Sequence, residues 1–175
     1  MHVIFVRHSE PDYTMLTTQD WRDFGRDLAP LSANGRRLAQ LAAENSVIDT
    51  AQIVISSSIT RALETATYLV RDRDVPLVVE PFFHEWRPDV KNLNYTEATV
   101  NQAYEAFWEN DGELPADAPI SYETRAQVQA RFLTALAKYQ QYETVLIVTH
   151  GMLMRQFIPQ KQIDYVDFLE IDISF

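Results

Sequence analysis

Cysteine is absent from the 175 residues, which removes disulfides, thiolate zinc sites, iron–sulfur clusters and a cysteine nucleophile at once. Glycine occurs only four times, at Gly25, Gly35, Gly112 and Gly151. That spacing writes neither GxGxxG nor a P-loop, so no glycine-rich backbone cradles a nucleotide. No serine stands in a GxSxG elbow, and His84-Glu85 is followed by Trp86, Arg87 and Pro88, which breaks the HExxH zinc pattern. Long hydrophobic runs are also missing. VIFV at 3–6 and VLIV at 145–148 fall far short of the ~20 residues of a membrane helix. Cations are scarce, 15 Lys plus Arg against 25 Asp plus Glu for a net charge of -10, which disfavours nucleic acid as a partner. No basic stretch with a long apolar core precedes the first strand-like run, so a cytoplasmic location is expected.

What remains is the composition of a folded globular protein, 46% apolar and 23% charged. The length suggests one domain over 1–175. Short runs rich in Val and Ile at 3–6, 51–56, 75–79 and 144–149 are apolar on consecutive positions and read as buried parallel strands. Helical spacing lies between them: Leu38, Leu41 and Ala42 follow an apparent cap at Ser32, and Ile59, Ala62, Leu63 and Ala66 repeat on one face. Val100, Ala103, Tyr104, Phe107 and Trp108 build a further apolar face, as do Val128, Phe132, Ala135, Leu136 and Tyr139. The alternation of residues 167–175 suggests an edge strand with one face exposed. The expectation is an α/β fold, a mostly parallel central sheet flanked by helices on both faces, with a small helical cap at about 87–120.

Chemistry concentrates at the ends of the expected strands, where open α/β sheets place their ligands. The first ends in Arg7-His8-Ser9-Glu10, the second in Ser56-Ser57-Ser58 with Arg61 one turn into the next helix, and the fourth in Thr149-His150-Gly151. Arginine is suited to a multidentate grip on phosphate, so two arginines and two histidines imply an anion pocket. A neutral imidazole there can attack phosphorus without an auxiliary base. The leaving oxygen then needs a proton from a carboxylic acid on the opposite side, and Glu85, after the third strand, is placed to give it. The same group can deprotonate the attacking water, while Arg7, Arg61 and His150 hold the equatorial oxygens. No metal and no cofactor is required.

The sequence resembles the histidine phosphatase superfamily, the phosphoglycerate mutase-like proteins. Five ordered segments carry the match: VRHSEPDY at 6–13, PLSANGRRLAQLA at 30–42, SSSITRALETA at 56–66, HEW at 84–86 and VTHGMLMR at 148–155. The resemblance implies that His8 is the phosphorylated nucleophile, that Arg7, Arg61 and His150 bind the phosphoryl group, and that Glu85 is the proton donor. Ser9 stands where the family usually has glycine, and its hydroxyl is expected to touch phosphate along with the backbone at Gly151. Thr14 replaces a frequent asparagine and is expected to make a secondary phosphate contact. Ser58 stands where proline is common.

Each of these residues has a plainer reading. Arg61 could pair with Glu64 on its own helix, for ~0.3 kcal/mol. His150 could be a structural histidine, and His2 is read as one. Glu10, Asp12 and Glu97 compete with Glu85 for the acid's place, His84 is a turn histidine, and Trp86 divides between core and substrate wall. The expected function is a metal-independent phosphatase acting on phosphomonoesters through phospho-His8, with a small phosphorylated molecule or a phosphoprotein as partner. Trp21, Tyr13, Thr14 and the cap are expected to select the ester. The alternatives are a phosphoglycerate mutase-type phosphotransferase, which the modest length disfavours, a phosphohistidine or phosphoprotein phosphatase, and a phosphometabolite-binding protein without turnover. No feature of the sequence sets an oligomeric state.

Overall fold

The computed structural model describes residues 1–18, 23–91 and 96–175. Five strands, β1 (His2–Arg7), β2 (Ile53–Ser57), β3 (Leu77–Glu80), β4 (Thr144–Thr149) and β5 (Phe168–Asp172), form one sheet in the order β3-β2-β4-β1-β5. All neighbours are parallel except β5, which runs antiparallel to β1. The described helices are α1 (Thr14–Thr18), α2 (Ala33–Ala42), α3 (Thr60–Val70), α4 (Glu97–Glu109), α5 (Arg125–Leu136) and the short α6 (Gly151–Met154). None is long and apolar enough to cross a membrane.

The continuous apolar runs have a direct cause, since β1, β2 and β4 are covered on both faces. Val3, Phe5, Ile53, Ile55, Val145 and Ile147 point to one layer, where Phe107 of α4 and Phe132 of α5 join them. Ile4, Val6, Val54, Leu146 and Val148 point to the other, against Ala62, Ala66 and Leu69 of α3. Each fully buried aliphatic side chain contributes about 1.5–3 kcal/mol. The run at 75–79 behaves differently from the expectation of a buried strand. β3 starts only at Leu77 and has β2 as its sole partner, so it is an edge and leaves Val79 exposed. The strand over 51–56 likewise begins at Ile53, because Ser46–Thr50 is a tight turn closed on Ala51.

Candidate active site

β1, β2 and β4 lie side by side and run the same way, which brings Arg7, Ser57 and Thr149 to one edge of the sheet and the chain after each into one neighbourhood. His8 follows β1 and is almost wholly buried. Its Nδ1 lies 2.7 Å from the carbonyl oxygen of Ser9. A carbonyl only accepts, so this nitrogen carries the proton and the lone pair belongs to Nε2. Arg61 Nε donates to that Nε2 at 3.2 Å. Burial, then Arg61 and Arg7, hold the His8 pKa well below its usual value, so the ring is the free base at neutral pH.

Arg61 reaches His8 because nothing on its helix diverts it. Glu64, the rival partner, binds Arg36 at 2.6 Å and the Leu31 N–H at 2.7 Å. The second guanidinium, Arg7, donates to the Ile163 carbonyl and lies over the Tyr165 ring at 4.3 Å, leaving its buried Nε without a partner. Gly151 lies beside the Arg7 side chain, and a Cβ there would stand 3.4 Å from that Nε, in ordinary van der Waals contact. His150 is fully buried, 5.1 Å from His8 between ring centroids. Its Nε2 lies 2.8 Å from the Ser57 hydroxyl, and its Nδ1 is a second buried atom without a partner. Burial and Arg61 push the His150 pKa down. Orphaned polar atoms of this kind are costly unless a ligand meets them.

Glu85 hangs in the loop after β3. Its Oε1 accepts from the N–H groups of Trp86 at 2.8 Å and Leu153 at 3.1 Å, and its Oε2 from Met152 at 3.3 Å. The loop is clamped from behind. Arg131 of α5 grips Glu123 through Nε and Nη2, at 2.6 and 3.1 Å, and donates to the carbonyls of Phe82 and Glu85. Glu123 in turn accepts from the Arg87 N–H, and its carbonyl from the Trp86 indole at 2.6 Å. His84 Nδ1 donates to the Glu85 carbonyl, and burial followed by Arg131 pushes its pKa down to about 4.

Arg7, His8, Arg61 and Glu85 line one cavity of about 290 Å³. Trp86 lines it too while packing edge-on against Phe107, so it serves core and wall together. Tyr13, Arg26, Asp27, Arg87, Tyr104 and Tyr165 complete the polar and aromatic wall. Of these, the sequence names Tyr13 for ester selection and includes Arg87 and Tyr104 only as part of the cap at about 87–120. Arg87 had a signal in following Glu85-Trp86, whereas Arg26 and Tyr165 come from long connections without a local pattern. Tyr165 precedes Val166, whose φ of 57° is rare for a β-branched residue and whose N–H binds the Arg7 carbonyl at 3.0 Å. That turn presents the Tyr165 ring to Arg7 and His8.

The expected contact of the Ser9 hydroxyl with phosphate is not what the fold provides. Ser9 is fully buried and its Oγ donates to the Gly35 carbonyl at 2.7 Å, while its N–H binds Thr65 Oγ1. The loop after His8 packs so closely on α2 that a Cβ at Gly35 would fall 2.1 Å from the Glu10 carbonyl oxygen. A serine at position 9 is therefore a tie to α2. Thr14 opens α1, with its N–H on Asp12 at 2.9 Å, and lies outside the cavity wall among the described residues. Trp21 lies outside the described residues. The rival acids point elsewhere: Glu10 accepts from Ser32 and Asn34, and Asp12 and Glu97 do not line the cavity. His2 pairs with Glu170 and Asp172, each at 3.0 Å, which raises its pKa. Among the described residues no group of three or more His, Asp or Glu side chains is arranged to hold a metal ion.

The chain is similar to known proteins in sequence and in fold. The chain is 27% identical over 156 residues to the adenosylcobalamin/alpha-ribazole phosphatase of Escherichia coli (strain K12), covering 86% of this chain and 73% of that protein. Among solved structures it is similar in fold to Bacillus stearothermophilus YhfR, with TM-score 0.72, 21% identity and coverage of 99% and 91%. A mycobacterial glucosyl-3-phosphoglycerate phosphatase complexed with VO3 gives TM-score 0.69, 20% identity and coverage of 98% and 92%. The family model of the histidine phosphatase superfamily (branch 1) matches residues 3–168, and the chain belongs to that family.

Proposed function

We propose that the protein is a metal-independent phosphomonoester hydrolase working through a phosphohistidine on Nε2 of His8. The observation that carries this reading is the His8 tautomer: with Nδ1–H tied to the Ser9 carbonyl, the lone pair sits at Nε2, where it accepts from Arg61 Nε, on a residue lining the same cavity as Glu85. The phosphatase names of the E. coli relative and the mycobacterial fold neighbour support ester hydrolysis.

In the first step Nε2 forms a bond to phosphorus as the ester P–O bond breaks, and Glu85 hands its proton to the departing oxygen. Arg7 Nε and His150 Nδ1, both unpaired, supply donors for the equatorial oxygens together with Arg61. In the second step Glu85 takes a proton from water, the new P–O bond forms, the N–P bond breaks, and inorganic phosphate leaves. The expected behaviour is p-nitrophenyl phosphate hydrolysis that withstands excess EDTA and disappears in His8→Ala. Activity that EDTA abolishes, or that survives His8→Ala, would overturn the reading.

A further inference from the structure

A second and larger concavity, of about 890 Å³, adjoins the catalytic cavity and shares Tyr104 with it. Its described lining contains Arg125, Arg155 and Lys161 and no carboxylate. That is unusual on a chain with a net charge of -10. Arg125 is already neutralised by Asp111 at 3.0 Å. Arg155 and Lys161 have no carboxylate partner among the described residues. The Arg155 guanidinium lies over Trp108, 4.0 Å from the ring centroid, with Nη1 donating to the Tyr104 hydroxyl at 2.8 Å and Nε to the Gln160 carbonyl at 3.2 Å. This stacking fixes the fork and leaves Nη2 open.

Two further polar atoms of the same wall lack partners. Gln156 is 6% exposed and gives its amide N–H to the Met152 carbonyl, while its Oε1 is buried and unpaired, as is the indole Nε1 of Trp108. The buried indole donor, an oriented guanidinium and a free ammonium beside aromatic surface are the equipment of a site for an acidic ligand with an apolar body. The catalytic cavity is small and its mouth touches this groove through the Tyr104–Arg155 hydrogen bond.

We propose that the groove binds the distal part of the substrate, so that the preferred phosphomonoester carries a second anionic group, a carboxylate or phosphate, on an apolar or aromatic body that spans from His8 to Arg155. The proposal deepens the phosphatase reading and rests on it. Aryl phosphonates bearing a tethered carboxylate of graded length, and their methyl esters, can be compared by calorimetry on the full chain alongside p-nitrophenyl phosphate turnover. At the matching length the acid should bind about tenfold more tightly than its ester. Arg155→Leu should erase that preference, and Lys161→Ala, on an exposed side chain, should cut it about threefold. The second variant carries the test if the first does not fold.

Equal affinities for acid and ester at every length would overturn the proposal, as would a preference that survives both substitutions. A free arylalkanoate binding as tightly as the tethered one would make the groove an independent anion site and would also overturn it. Loss of p-nitrophenyl phosphate turnover with the preference intact would count against the catalytic reading alone. Turnover with no preference would count against the groove alone.

Discussion

On the His8 side of the cavity no ion pair among the described residues fastens the loop, whereas the loop that carries Glu85 rests on a buried one. His8 is held by the Ser9 carbonyl, and its loop by the Ser9 hydroxyl on Gly35 and the Ser32 N–H on the Glu10 carbonyl. No carboxylate is among the influences on His8: burial and the two arginines oppose protonation, and the hydrogen bond to the Ser9 carbonyl that favours it is outweighed. Glu85 instead hangs on a loop fastened by Arg131 and Glu123, whose side chains are only 11% and 8% exposed. A full charge pair there fixes several backbone groups at once, and it stands behind the loop rather than in the cavity wall. Burial, Arg61 and Arg7 keep the His8 ring neutral, and the Glu10 carboxylate in its loop is tied to Ser32 and Asn34 rather than to a cation. The acid's loop must be held in place from behind, and a bidentate pair does so.

The two fastenings should fail differently. Arg131→Met leaves Glu123 buried and unpaired, and is expected to cost about 3–5 kcal/mol in denaturant unfolding. Adding Glu123→Leu should recover much of that stability, because the second charge goes too. The double variant should still turn over alkyl phosphates about tenfold more slowly while losing less on p-nitrophenyl phosphate, since only the poor leaving group depends on a well-aimed acid. Equal losses on both esters would separate Arg131 from the acid's function. Glu85→Gln should show the same asymmetry more strongly, by about 100-fold or more on an alkyl ester.

On the other side, Gly35→Ala forces a methyl against the Glu10 carbonyl and should destabilise by about 1–3 kcal/mol, although alanine is otherwise the better helix residue. Its mark is a fall in kcat on both esters alike, because the displaced group is the nucleophile. A loss confined to alkyl esters would contradict the assignment of this contact to His8.

The histidines extend the contrast to pH. His8, His84 and His150 all have depressed pKa values in the folded protein, His84 at about 4. In the unfolded chain they take up protons near pH ~6.5. Their contribution to stability is therefore full above that pH and is lost as the pH falls from ~6.5 toward 4. Thermal unfolding across that range should show a declining Tm, and a flat profile would contradict the buried neutral rings. His2 runs the opposite way. Its raised pKa gives stability at low pH that disappears as the pH rises through the folded value. Its partners are exposed, so His2→Ala should cost less than about 1 kcal/mol, and less still in high salt.

These contrasts also mark where sequence reasoning reaches its limit. Continuous apolar runs reveal doubly covered strands, and residues at their ends reveal a site, because both depend on a few neighbouring positions. Val75–Val79 is as apolar as a central strand, but Pro76 lacks the N–H a central ladder needs, and the sheet order makes β3 an edge. Ser9 points to α2 because Gly35 allows an approach made across 26 residues. Tyr165, Arg26 and the Arg131–Glu123 pair reach the site through long-range packing that no local spacing encodes, and the strained turn at Val166 has no signature in a valine codon's neighbours.

The central claim is that phosphorus is carried on Nε2 of His8. A denaturing alkaline quench of a turnover mixture, followed by peptide mapping that preserves phosphoramidates, tests it directly. The account predicts one alkali-stable, acid-labile phosphoryl group on the peptide containing His8, at Nε2, and none in His8→Ala. A phosphoryl group on another residue, or undiminished turnover with no labelled peptide, would contradict it.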